Sequence, residues 1–257
     1  MLKGLFAKLF SAMNLKLWVR CSRGFYIKID SSNTVGRSIF YRKSYDERMA
    51  MAISDMLVAD SVFFDVGANI GYFSLLASTE LRGRGQVFAV EANTCLVEML
   101  NESKSRNNLQ NLEILNAAAG SRPGSVDFQV LRSSGVSFVG GEDSIRNNDK
   151  VIKSVRVSVL TLDSLLQRVE AGRRLVFKID TEGYEMEVLK GMESILLRPD
   201  VQIIIEVSAM NLSRNNHTPS DIFEFLKSRK FICSDLDGNQ VESIGNDVES
   251  DYLFTRA

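Results

Sequence analysis

From about residue 60, short continuous apolar runs alternate with stretches of helical spacing, and this alternation restricts the chain's folding options most strongly. Val62–Val66, Gln86–Val90, Leu112–Leu115, Leu175–Ile179 and Val201–Val207 are rich in β-branched and aromatic residues. Between most of them, Tyr72–Thr79, Cys95–Ser105, Tyr184–Leu197 and Pro219–Arg229 carry apolar side chains at helical intervals. Strands that are apolar on both sides need cover on both faces. The pattern therefore predicts an α/β, doubly wound, mostly parallel sheet. Phe231–Ser234 and Tyr252–Thr255 are expected to close it as a terminal hairpin. Ahead of the alternation, Phe25–Asp30 and Ser38–Tyr41 read as strands and Tyr45–Val58 as a helix. Strands are expected at Ser125–Val130 and Val155–Leu160; between them Leu131–Ser154 is polar and glycine-bearing, either a lid or binding loop or a plain surface insertion.

Composition narrows the function classes. With 257 residues, 45% hydrophobic and 25% charged, the chain can bury a sizeable core, and disorder, collagen and disulfide scaffolds are excluded. A net charge of −1 argues against a grip on nucleic acid through bulk electrostatics. Cys21, Cys95 and Cys233 form no zinc or CxxC pattern and suit a reducing, cytoplasmic setting. The only histidine, His217, excludes a multi-histidine metal site.

The near-neutral sum hides an asymmetry. Lys3, Lys8, Lys16, Arg20 and Arg23 face no acid within residues 1–24, which leaves −6 on the remainder. Leu2, Leu5, Phe6, Leu9, Met13 and Leu17 fall at helical spacing beside Trp18, so residues 2–20 are expected to form a basic amphipathic helix. Such a helix either covers the protein's own core or lies on an anionic surface such as the inner face of a membrane. Lys8, Asn14 and Lys16 break the apolar centre of about 7–15 residues that a signal peptide needs. Residues 1–44 read as a helical and strand extension, and 45–257 as one catalytic domain.

The stretch Val62-Phe-Phe-Asp-Val-Gly-Ala-Asn-Ile-Gly-Tyr-Phe carries most chemical information. A buried strand ends near Asp65, and Gly67, Asn69 and Gly71 lead into a helix, allowing a tight turn and close approach to a ligand. The next strand ends at Glu91, where an acid in such a fold takes ribose hydroxyls. The spacing Gly67-x-x-x-Gly71 differs from a dinucleotide GxGxxG, and Asp65 would repel a pyrophosphate. An acid there suits the sulfonium and ammonium of S-adenosylmethionine.

DVGANIGYFSLLAS, VFAVEAN, LNAAAGSRPGSVDF, TLDSLL, FKIDTEGYEMEVLKGM and IIIEVS, in this order, resemble the FkbM-family S-adenosylmethionine-dependent methyltransferases from about Tyr45 to Glu206. The resemblance implies a seven-stranded, Rossmann-like sheet of the class I methyltransferase type. It also implies O-methylation of a hydroxyl on a saccharide, glycan or secondary metabolite. It puts Asp65, Gly67, Asn69 and Gly71 at the methionine end, Glu91 on the ribose, and Asn116 with Ala117 near the adenine. A non-catalytic binding module and a nucleic-acid methyltransferase are the alternatives; the latter would need an (N/D)PP(Y/F) turn where Asp180-Thr-Glu-Gly stands.

For the chemistry, Asp180 and Glu182 follow the strand Leu175–Ile179 and lie two apart, so both carboxylates could face one way. Adjacent acids can raise one another's pKa or hold a divalent metal. Glu206 ends a neighbouring strand. The family often has a histidine two residues beyond this acid; here Ser208 stands there, and His217 is the candidate replacement. Lys178 would neutralise the acids or point into a helix layer. Tyr45 and Glu47 precede the first sheet strand on a helix expected to cross the cofactor mouth.

Overall fold

The computed structural model describes residues 13–131, 137–140, 144–145 and 150–256. Its strands are β1 (Lys16–Arg20), β2 (Tyr26–Asp30), β3 (Val62–Val66), β4 (Gln86–Val90), β5 (Leu112–Leu115), β6 (Ala118–Ala119) and β7 (Gly124–Leu131). They continue as β8 (Ser137–Val139), β9 (Val151–Leu160), β10 (Leu175–Ile179), β11 (Val201–Ser208), β12 (Phe231–Asp235) and β13 (Glu249–Arg256). The described α-helices are α1 (Thr34–Arg42), α2 (Glu47–Met56), α3 (Tyr72–Leu81), α4 (Thr94–Arg106), α5 (Glu185–Lys190), α6 (Ala209–Leu212) and α7 (Pro219–Lys227).

Seven strands form the main sheet in the order β12-β13-β11-β10-β3-β4-β5, parallel except for β13, which runs antiparallel to both neighbours. The apolar runs are its central strands because every residue of β3 and β10 is buried, and only a covered strand tolerates such a sequence. The order in which strands are added reverses between β3 and β10, which are parallel and level at Val66 and Ile179. Ligands bind at the carboxyl edge of such a switch point. On one face, Phe64 stacks on Phe88 at 5.0 Å and on Phe177 at 4.5 Å, above α5 and α7. On the other, Phe63, Leu75 and Val176 share a core with Val19, Ile27, Ile29 and Ile39.

Local differences from the expected elements have simple causes. Ser38–Tyr41 belongs to α1 and not to a strand: Asn33 caps the helix by accepting from Val35 N, and Gly36 and Ile39, three apart, form its buried face. A four-residue run is too short for alternation to separate the two periods. Lys16–Arg20 is strand β1, not the end of a helix. It pairs antiparallel with β2, Val19 pointing inward while Lys16, Trp18 and Arg20 stay exposed. The first part of the expected helix, residues 2–12, lies outside the described residues. The Leu131–Ser154 stretch is no simple loop, since it contributes β8 and the start of β9 to a four-stranded sheet in the order β6-β9-β7-β8. Among the described residues no helix is long and apolar enough to cross a membrane.

Candidate active site

A cleft opens at the carboxyl edge between β3, β4 and β10, where small-molecule sites of open α/β sheets lie. Gly67, Asn69, Glu91, Ala117, Asp180 and Glu182 line it. Gly67 follows β3 with φ +76°, and a Cβ there would stand 1.8 Å from the Asp180 carbonyl oxygen, so glycine alone lets the two loops touch. The turn is anchored by Gly67 N and Ala68 N, which donate to Val90 O at 2.9 and 3.1 Å.

Glu91 sits in the cleft wall, accepting from Asn69 N at 2.8 Å and Asn93 N at 2.7 Å. Burial pushes its carboxyl above the usual range, and the two amides oppose that. A carboxylate has about four lone-pair sites, so capacity for ribose hydroxyls remains. Asn116 braces the wall from behind, donating to Glu91 O at 3.0 Å and Ala92 O at 3.1 Å. Its neighbour Ala117 is the one that faces the cleft.

Two glycine-loop residues, Asp65 and Gly71, are held by contacts within the protein. Asp65 is fully buried beneath the turn, where it accepts from Ser74 Oγ at 2.5 Å and faces Lys178 Nζ at 3.8 Å. It holds the loop's underside and is not among the residues that line the cleft. Gly71 begins α3 at φ +83°, and a Cβ would meet Leu100 at 2.1 Å, so it serves helix packing.

The acids after β10 converge. Asp180, Glu182 and Glu206 each offer a carboxylate oxygen, all within 4.8 Å of one another, an arrangement that can share a proton or hold a divalent cation. Lys178, buried, donates to Asp180 Oδ2 at 2.9 Å and to Gly67 O at 3.3 Å. Burial alone would favour a neutral amine, but Asp180 and Asp65 override it and hold the ammonium charged. Burial also works against the Asp180 charge. The Lys178 ammonium and a hydrogen bond with Glu206 outweigh it and keep this carboxyl below its ordinary range. Glu206 is pushed up to about 10 by the Asp180 charge and by burial, so it carries the proton the pair shares. Glu182, raised to about 8 by burial and by Asp180, holds Asn211 Nδ2 on its Oε2 at 2.6 Å.

His217 does not join this group. Its Nε2 lies 3.7 Å from Glu187 Oε1, on a carboxylate that also accepts from Ser121 Oγ at 2.7 Å, and it lines neither recess at the sheet edge. Its loop brings Asn211 and Asn215 to Glu182 and Gly183, while the imidazole itself is placed against Glu187. Glu47 likewise pairs with Arg23 at 3.1 Å outside the cleft. Tyr45 is better placed, lining a smaller recess of about 310 Å³ with Phe73, Lys178 and Asp180.

Sequence reasoning missed Asp251, opposite Glu206 on β13 and raised to about 6 by burial and the charge of Asp46. It also missed Leu96, Phe128, Val139 and Tyr184, which wall the cleft. These carry no motif. Phe128 and Val139 reach the cleft through the folding of β7 and β8, Leu96 from α4 and Tyr184 from the residue before α5.

The methyltransferase FkbM domain model matches residues 65–233, spanning β3 to β12. The chain belongs to the FkbM methyltransferase family. It is 29% identical over 177 residues to the hexuronic acid methyltransferase AglP of Haloferax volcanii, an alignment covering 66% of this chain and 63% of that protein. The chain thus spans less than two thirds of that relative's length. A probable cobalt-precorrin-6B C(15)-methyltransferase (decarboxylating) of Sulfolobus acidocaldarius is 26% identical over 139 residues, covering 51% of this chain and 69% of its own. A solved FkbM methyltransferase from Methylobacillus flagellatus has a TM-score of 0.48 and 14% identity, covering 76% of this chain and 43% of that one.

S-adenosylmethionine is the cofactor of this FkbM methyltransferase family member. The cleft's residues fit it: a backbone approach that only Gly67 permits, an acid at Glu91, and small apolar walls at Ala92, Ala117 and Ala118.

Proposed function

We propose that the chain is an S-adenosylmethionine-dependent O-methyltransferase acting on a hydroxyl of a saccharide, a glycan or a secondary metabolite. The observation that carries this reading is the cluster of Asp180, Glu182 and Glu206 beside the cleft that Gly67 and Glu91 line. The sugar-modifying relative supports a carbohydrate acceptor. When bound, S-adenosylmethionine supplies an activated methyl group on its sulfonium. The protein's share is to align the acceptor oxygen with that methyl and to take the hydroxyl proton. Glu91 and the Gly67 turn hold the nucleoside. Asp180, kept ionised by Lys178, orients the acceptor hydroxyl from the wall common to both recesses. Glu182 takes the proton, since a carboxyl tuned to about 8 is a far better base than an ordinary one. Glu206 donates its shared proton to Asp180 and keeps that group in place.

Residues 45–257 would hold this machinery, with 1–44 as an extension. The exposed Lys16, Trp18 and Arg20 on β1 support a peripheral contact with an anionic membrane from the cytoplasmic side. The test of function is a screen of sugar and lipid-linked glycan acceptors with methyl-labelled S-adenosylmethionine, wild type beside D180N. Transfer by the wild type, with D180N binding cofactor normally but transferring about 10²-fold more slowly, is the expected result. Equal rates would move the chemistry away from this cluster.

A further inference from the structure

Glu185 opens α5 and is only 2% exposed, yet the roles above do not use it. One of its oxygens, Oε1, accepts from Thr181 N at 2.9 Å, Thr181 Oγ1 at 3.0 Å and Gly183 N at 3.1 Å. Its other oxygen, Oε2, is buried without a hydrogen-bond partner. The donors bracket Glu182, which stands at φ +56° before Gly183 at φ +109°. A side-chain-bearing residue keeps such a left-handed conformation only where its surroundings impose it. The opposite side of the turn is also gripped: Asn215 Nδ2 donates to Gly183 O at 3.0 Å, and Asn211 Nδ2 holds Glu182 Oε2. A Cβ on Gly183 would lie 2.2 Å from Asn211 O, so the turn has no freedom to relax outward.

We propose that Glu185 is a positioning residue for methyl transfer: its single accepting oxygen shapes the Thr181–Gly183 turn and so aims the Glu182 carboxylate into the cleft beside Asp180. This rests on the reading of Glu182 as the proton acceptor. Because Oε1 does all the accepting, the reach of the side chain sets the shape of the turn, while its charge acts on Glu182 only by helping to raise that carboxyl. A glutamine presents a carbonyl oxygen at the same reach. An aspartate keeps the acid but falls one methylene short of Thr181 N and Gly183 N.

The two substitutions separate these properties once the wild type has been shown to transfer a methyl group to an acceptor from the screen. E185Q is expected to keep kcat within about fivefold, and E185D to lose about 10²-fold in kcat with KM for S-adenosylmethionine little changed, because a reacting group misplaced by about 1 Å costs on that order. Equal losses in the two variants, the reverse order, or a wild-type kcat in E185D overturn the proposal. Should the wild type transfer to no acceptor, the functional reading falls by itself, and amide exchange in the wild type tests the turn separately. The same measurement decides if E185D does not fold. The Thr181 and Gly183 amides are expected to exchange about 10²-fold or more slowly than in a free peptide, as bonded amides do. Exchange at open-loop rates would overturn the role of Glu185.

Discussion

Gly67 shows how one position can be decided by backbone alone. Its positive φ and the 1.8 Å approach of an imagined Cβ to Asp180 O mean that alanine must push the β3 and β10 loops apart. G67A should therefore lose about 2 kcal/mol or more of stability in urea unfolding, together with most S-adenosylhomocysteine affinity by calorimetry. Glu182 is decided by its surroundings. Burial and Asp180 raise its carboxyl to about 8, so below that pH it carries a proton and cannot act as a base. The pH profile of kcat/KM should rise through about 8, and E182Q should abolish that limb while lowering turnover about 10²-fold. Linkage carries the opposite sign for stability. A raised acid binds its proton more tightly in the fold, so its contribution is complete below the ordinary value of 4.5 and is lost as pH climbs through about 8.

At the scale of elements, the sheet's carboxyl edge gathers the chemistry. The ends of β3, β10 and β11, with the turn after β10, bring Lys178 against four carboxyls: Asp65, Asp180, Glu182 and Glu206. Lys178 and the proton on Glu206 already balance much of this charge, so the cluster has little need of a divalent ion. EDTA is expected to leave transfer within about twofold of its starting rate; a loss restored by magnesium would reassign the three acids as metal ligands. The central strands and their parallel arrangement were legible because continuous apolar runs with helices between them admit few alternatives. β8 was not legible. Three residues within a polar stretch carry no usable period, and they form a strand only because β7 offers an edge.

For the whole molecule, the β1–β2 hairpin and α1 share one core with the face of the main sheet that carries α2, α3 and α4. Loss of that packing should therefore be felt by the entire fold. Ile27, fully buried in the hairpin, is expected to cost about 3 kcal/mol on replacement by alanine, read as a lower urea midpoint in a single cooperative transition. A separate early transition would show instead that the hairpin melts alone.

The amino-acid sequence by itself determined the alternation of strands and helices, the glycine turn at the end of β3, the acid at the end of β4 and the family. All of these are written in consecutive residues, where period and spacing act. Only the tertiary structure decided that Asp65 turns under the loop to Lys178, that Glu206 shares a proton with Asp180, and that His217 faces Glu187. Asp65 and Lys178 are far apart in the chain yet level in the β3–β10 register. Which charges meet, and which of them keep their protons, depends on strand order, register and burial, and no local pattern records those.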